Sequence, residues 1–124
     1  LSGNSLDYKK AIDYHMNGLK KFEELGDKRG ITISLHGIGD IYGIQGEYEK
    51  AIGYLHQSLN LAVEMGAKNE IFAGYQKLSE LYQKQDVIKK ALEYYKLYSQ
   101  IKDSLLYKVN SKQIIEMQAK YESE

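Results

Sequence analysis

The chain has 124 residues, enough for one domain that buries roughly two thirds of its unfolded surface. A hydrophobic content of 43% is ordinary for a globular protein and argues against disorder. The 17 basic and 17 acidic side chains cancel, which removes the electrostatic basis for binding nucleic acid or an anionic membrane surface.

Cysteine and proline are both absent. The first excludes disulfides and thiolate metal sites, and the second leaves glycine as the residue that stops helices. No run of about eighteen apolar residues and no basic-then-apolar leader occurs in the sequence, so the fragment itself is expected to make no membrane contact. Leu1 stands where an initiating methionine would be, which points to a piece of a longer protein.

Residues 1–5 read as a loop, with Ser5 or Asp7 placed to cap a first helix. Apolar residues then recur at Tyr8, Ala11, Ile12, Met16, Leu19, Phe22 and Leu25. That three-and-four spacing predicts the helix, stopped by Gly26 in the left-handed conformation. Asp27 is placed to cap a second helix carrying Ile31, Leu35, Ile38, Ile41, Tyr42 and Ile44, which ends before Gly46. A third helix from about residue 47 carries Tyr48, Ala51, Ile52, Leu55, Leu59, Ala62 and Met65, with Gly66 repeating the stop at Gly26. The fourth, about 69–84, carries Ile71, Tyr75, Leu78, Leu81 and Tyr82, and Asp86 stands where Gly46 stood. The fifth carries Ile88, Ala91, Leu92, Tyr95, Tyr98 and Ile101.

Connections this short force consecutive helices to lie antiparallel as hairpins. None has an apolar stripe broad enough to be buried alone, so each must stack on its neighbours, the defining property of a solenoid. The same order of residues returns every forty positions: Leu35, Ile38, Gly39, Tyr42, Lys50, Ala51 and Tyr54 become Tyr75, Leu78, Ser79, Tyr82, Lys90, Ala91 and Tyr94. Earlier in the chain, Tyr8, Lys10, Ala11, Ile12 and Tyr14 supply the second half of the unit. The register fails after the fifth helix, where Ser111, Gln118 and Glu122 occupy the apolar and tyrosine positions. Tyr107, Asn110, Ile114, Met117 and Tyr121 form a heptad-like seam instead. Two outcomes are open there: a helix that covers the face of the fifth, or one that leaves the array toward another domain or a second copy.

Leu35, Ile38, Gly39 and Tyr42 followed by Ala51 and Leu55 resemble the tetratricopeptide repeat (TPR), as do Tyr75, Leu78, Ser79, Tyr82, Ala91 and Tyr95. The period of forty and the absent proline depart from that family's usual unit. The resemblance implies an all-α fold, a right-handed α-α superhelix or TPR solenoid of antiparallel helix hairpins, in one domain over 1–124. Residues 6–26 are the second helix of a truncated repeat, 28–66 and 69–105 are full repeats, and 106–124 is a capping or exit helix. The small residues Gly39, Ser79, Ala51 and Ala91 mark where the paired helices approach most closely. The run from Tyr98 through Lys102, Asp103, Ser104 and Leu105 to Lys120 and Tyr121 resembles the exit segment of bacterial sensor proteins of the Bacteroidetes type. That likeness implies a sensory module of a sensor histidine kinase or other signal-transduction protein; the alternative is a free-standing cytoplasmic scaffold or adaptor. It would place the fragment in the periplasm or another extracytoplasmic space if part of a membrane sensor kinase, and in the cytoplasm otherwise.

In this family the first helix of each repeat lines a concave groove that holds a peptide or protein ligand. Carried over, this places Ile33, His36, Asp40, Gly43 and Ile44 beside Ala73, Gln76, Glu80, Gln83 and Lys84. Asp40 and Glu80 argue against recognition of a terminal carboxylate and favour a polar or basic segment. Gly37 and Gly43, each about 1 kcal/mol less favourable than alanine inside a helix, are expected to leave room for a ligand backbone or a partner helix, whereas core packing accounts for Gly39.

No catalytic, cofactor or metal constellation can be assembled from His15, His36, His56 or any serine, so an enzyme is not expected. The tyrosines read as core with hydroxyls at the rim. Lys10, Lys50 and Lys90, each beside a packed alanine, read as solvated. The first helix lacks the partner its repeat requires, so Ile12, Leu19 or Phe22 is expected to be partly uncovered, making this helix or the C-terminal one a route to homo-oligomers.

Overall fold

The computed structural model describes residues 5–122, and within them the chain is five helices: α1 (Ser5–Leu25), α2 (Lys28–Ile44), α3 (Tyr48–Met65), α4 (Lys68–Lys84) and α5 (Ile88–Glu122). Each packs against the next, and α2 also touches α4 directly. That last contact makes the architecture a solenoid: α2 and α4, the first helices of successive repeats, lie side by side, with α3 and α5 backing them. The all-α, TPR-like solenoid expected from the sequence is the fold observed.

The four turns are built alike. Gly26, Gly46 and Gly66 adopt positive φ of 68°, 81° and 63°, and Asp86 does so at 61°. In each turn the amide of the left-handed residue donates three positions back and the next amide five positions back. Gly26 N–H donates to Glu23 O and Asp27 N–H to Phe22 O, and Gly66 N–H to Val63 O and Ala67 N–H to Ala62 O. Gly46 with Glu47 and Asp86 with Val87 repeat the pattern, the paired closure of a Schellman motif. Nothing lies near the Cβ that Gly26, Gly46 or Gly66 would carry, so backbone angle rather than space selects glycine there. Asp27 caps α2, its Oδ1 accepting from Gly30 N–H at 3.0 Å.

These stops fall at positions 26, 46, 66 and 86. The next place in the series is 106, where the sequence has leucine. With no residue suited to the left-handed stop, α5 runs on unbroken to Glu122. The separate covering helix considered for 106–124 is therefore not formed among the described residues; the segment up to 122 continues α5.

The core lies where α2, α3 and α4 meet. Ile38, Leu55 and Leu78 are fully buried, with Leu35, Ala51, Leu59, Ala62, Leu81 and Ala91 around them. Gly39 lets α2 and α3 close up: a Cβ there would stand 2.8 Å from Leu55 Cγ and 3.2 Å from the Ala51 carbonyl oxygen. In the second repeat Ser79 takes that place and its hydroxyl donates to Ala91 O at 2.9 Å. Ser58 similarly ties α3 to α2 through Thr32 O at 2.9 Å. Ile12, Leu19 and Phe22 of α1 are half-buried, as expected, and Leu6, Tyr14 and Leu25 are the more exposed side chains on that helix. Leu25 and Ile44, both placed on apolar stripes by spacing alone, are exposed because they sit in the last turns before Gly26 and Gly46.

The tyrosines form repeated pairs. Tyr42 stacks on Tyr54 with centroids 5.7 Å apart, and forty residues on Tyr82 stacks on Tyr94 at 5.8 Å. Lys50 Nζ sits 5.5 Å from the Tyr42 ring centroid and Lys90 Nζ 5.9 Å from that of Tyr82. The lysines expected to be merely solvated thus cover the outer ring of each stack, a cation–π arrangement that recurs with the repeat.

Candidate partner-binding groove

The face shared by α2 and α4 carries a cleft of about 250 Å³ lined by Thr32, Ile33 and His36 of α2, Ser58 of α3, and Asn69, Glu70 and Ala73 of α4. Its floor is apolar, with Ile33 more than half exposed at its edge. Arg29 closes one end through an ion pair with Glu70 at 2.9 Å. Toward the other end His36 Nε2 lies 3.5 Å from Asp40 Oδ2, while Lys77 Nζ lies 3.4 Å from Asp40 Oδ1 and 3.6 Å from Glu80 Oε2. Lys77 approaches Asp40 Oδ1 off the line of a hydrogen bond. That oxygen is shielded from solvent and accepts none from any described residue.

Of the ten residues the sequence assigns to this face, Ile33, His36 and Ala73 meet at the cleft, and Asp40 and Glu80 are joined beside it through Lys77. Gln76 is exposed on α4, and Ile44 and Lys84 are the exposed last residues of their helices. Gln83 lines a different cleft, with Ser79, Ile88, Ala91, Leu92 and Tyr95 at the α4–α5 end of the array.

Gly43 does not leave room for a ligand. A Cβ there would stand 3.1 Å from Leu81 Cδ2, so the next repeat already occupies the space. Gly37 faces the His15 ring, 2.8 Å from its would-be Cβ, and so admits α1 of the same chain. Of the two alternatives expected for these glycines, the ligand backbone is corrected accordingly: the space at each is taken by a neighbouring helix of the same chain. The sequence reading missed Lys77, Asn69 and Glu70. The signal was available, since positions 69, 70, 76 and 77 lie one helical turn from Ala73.

His56 of α3 is half-buried between two tyrosines: Nε2 and the Tyr82 hydroxyl share a hydrogen bond of 3.1 Å, and the Tyr94 ring centroid is 5.8 Å away. Burial, and then the nearby Lys90 charge, lower its pKa below the ordinary 6.5. Burial raises Tyr82 and Tyr94 above theirs. The fold therefore favours the neutral form of His56. On acidification the unfolded chain takes up the proton first, so this group's contribution is complete above pH about 6.5 and falls as pH drops toward the lowered folded-state value. Chemical denaturation at stepped pH is expected to show that decline, and His56→Gln to flatten it. An unchanged slope in His56→Gln would assign the decline to other groups.

The backbone superposes on the crystal structure of the TPR domain of Arabidopsis FLU with a TM-score of 0.75, over 79% of this chain and 82% of that one, at 21% sequence identity. No protein-family model and no curated protein matches the sequence. A likeness at this identity defines the fold: a TPR-like helical repeat.

Proposed function

We propose that the chain is a protein-binding module that takes an extended, donor-rich segment of a partner into the groove between α2 and α4. The observation that carries this reading is Asp40. Its Oδ1 is shielded yet accepts no hydrogen bond, and it lies beside an apolar cleft lined by Ile33, His36 and Ala73. The Lys77 ammonium at 3.4 Å offsets its charge without filling its acceptor site, which is left open for a donor. A lysine, arginine or backbone N–H of a bound segment would satisfy it while an apolar side chain filled the cleft. Glu80, Gln76 and Lys84 extend the polar rim along α4.

The finer reading is a sensory module of a bacterial signalling protein. It is supported by the character of the 98–121 run and by a C-terminal helix of 35 residues, about 52 Å long, which can carry changes in superhelix shape away from the groove. A scaffold or adaptor role would use the same groove without such transmission.

The test uses fluorescein-labelled extended peptides carrying two leucines among lysines, and the same peptides with glutamate in place of lysine. The lysine series is expected to bind and the glutamate series not. Asp40→Lys should weaken binding by roughly tenfold or more, while Asn60→Lys, on the surface beside α1 and α3, should leave it unchanged. Equal binding of both series, or indifference to Asp40→Lys, overturns the assignment.

A further inference from the structure

Among the described residues α5 packs mainly against α4, with Tyr94 reaching His56 of α3, and its outward face carries uncovered apolar side chains in both halves. Ile88, Leu92 and Tyr95 are 61%, 50% and 54% exposed near its start, and Ile114 and Met117 are 55% and 70% exposed near its end. At 3.6 residues per turn all five fall within about 60° of the Leu92 direction, so they share one face, apolar at its two ends and polar between them at Lys96, Ser99 and Asp103. Beside its first half lies a cleft of about 310 Å³ bounded by Ser79, Gln83, Ile88, Ala91, Leu92 and Tyr95.

The repeat itself says what belongs on this face. Inside the array, α3 is covered by α4, running antiparallel to it, and Leu59 Cδ1 stands 3.2 Å from where a Gly74 Cβ would be. Positions 59 and 74 therefore face each other. Moving both on by forty sets Ser99 opposite Ile114, yet these two lie on one unbroken helix, because position 106 lacks the residue that would turn the chain back. A segment that would have covered its own α5 is thus held out as a rod.

We propose that a second copy of this chain supplies the missing cover: two α5 helices pair antiparallel, and the 114–122 segment of each lies over residues 91–99 of the other, Leu92 and Tyr95 among them. The pairing of 99 with 114 puts the two-fold axis midway, at (99 + 114)/2, between residues 106 and 107. Helix α5 spans Ile88–Glu122, with its midpoint at 105, so the axis demanded by the repeat register falls at the centre of the helix and the overlap is nearly complete. Met117 of one copy then meets Tyr95 of the other, a thioether against an aromatic ring.

A helix pair about 52 Å long and 10 Å wide has a footprint of about 500 Å² per partner, roughly 1,000 Å² in total. This meets the minimum of about 1,000 Å² expected of a biological interface before the contacts in the cleft are added. Such an arrangement is an isologous exchange of a terminal element, a low-cost route to dimers. It is independent of what the α2–α4 groove binds.

Sedimentation of the whole chain is expected to show a dimer, and Tyr95→Lys or Met117→Glu alone should raise its dissociation constant by at least roughly tenfold. Both positions are exposed, so circular dichroism should be unchanged. Combining the two substitutions should restore the dimer, because in the antiparallel pair each new lysine faces a new glutamate; in a parallel pair it would face another lysine. The absence of native cysteine permits a direct check. Ser99→Cys mixed with Ile114→Cys should form the mixed disulfide, and neither alone should form its own. A chain that stays monomeric, a double variant that stays dissociated, homodisulfides from the single variants, or an intramolecular cross-link in a chain carrying both cysteines would each overturn the proposal.

Discussion

Leu55→Ala is expected to lower stability by about 3 kcal/mol, since truncating a fully buried leucine removes its transfer free energy and leaves a cavity that the surroundings only partly close. Leu55 has no exposed surface, presses on Gly39 of α2, and belongs to the cluster with Leu59, Leu78 and Leu81 that joins α3 to α4. It therefore serves two helix–helix interfaces in a fold held together by neighbour contacts. For a chain of this size the change corresponds to a fall in Tm of roughly 10 °C. Thermal melting monitored at the helical signal checks it, with Leu92→Ala as comparison. Leu92 is half exposed, and its truncation should cost well under half as much in the monomer.

Gly39→Val is expected to cost about 2–3 kcal/mol from overpacking, despite the better helix propensity of valine over glycine. The added Cβ would stand 2.8 Å from Leu55 Cγ and 3.2 Å from the Ala51 carbonyl oxygen. Neither can move, because Leu55 and Ala51 have no free surface and one of the contacts is backbone. The matching site in the second repeat makes the control: Ser79 already carries a Cβ there, and the residue in the place of Leu55 is the exposed Tyr95. Ser79→Gly should therefore relieve no clash and should cost about 1 kcal/mol through loss of the bond to Ala91 O. If denaturation midpoints showed Gly39→Val to be neutral, the close approach of α2 and α3 would not be the reason for glycine at this position.

The two repeats are thus similar in plan and different in closure. The first is sealed on both sides, by α1 and α4, and needs glycine where helices meet. The second is sealed on one side only, by α2 and α3, so its leucine-equivalent positions carry serine and tyrosine and its outer face stays open. The turn series at 26, 46, 66 and 86 shows the same contrast at the level of the backbone, and its failure at 106 is what extends α5.

Much of this was legible from the residues in order. Helical periodicity, the glycine stops, the cap at Asp27 and the forty-residue register are local properties, decided by backbone angle and by which side chains share a helix face. Tertiary structure alone decided the rest, because the causes lie in helices remote in sequence. Gly37 and Gly43 are filled by His15 and Leu81, not by a ligand. Lys50 and Lys90, exposed as the sequence suggests, also lie over the Tyr42 and Tyr82 rings. Lys77 joins Asp40 to Glu80 across the groove. Spacing identifies which residues face the same way along one helix. It does not say how far the neighbouring helix stands, and that distance determines whether a glycine is a vacancy or a contact.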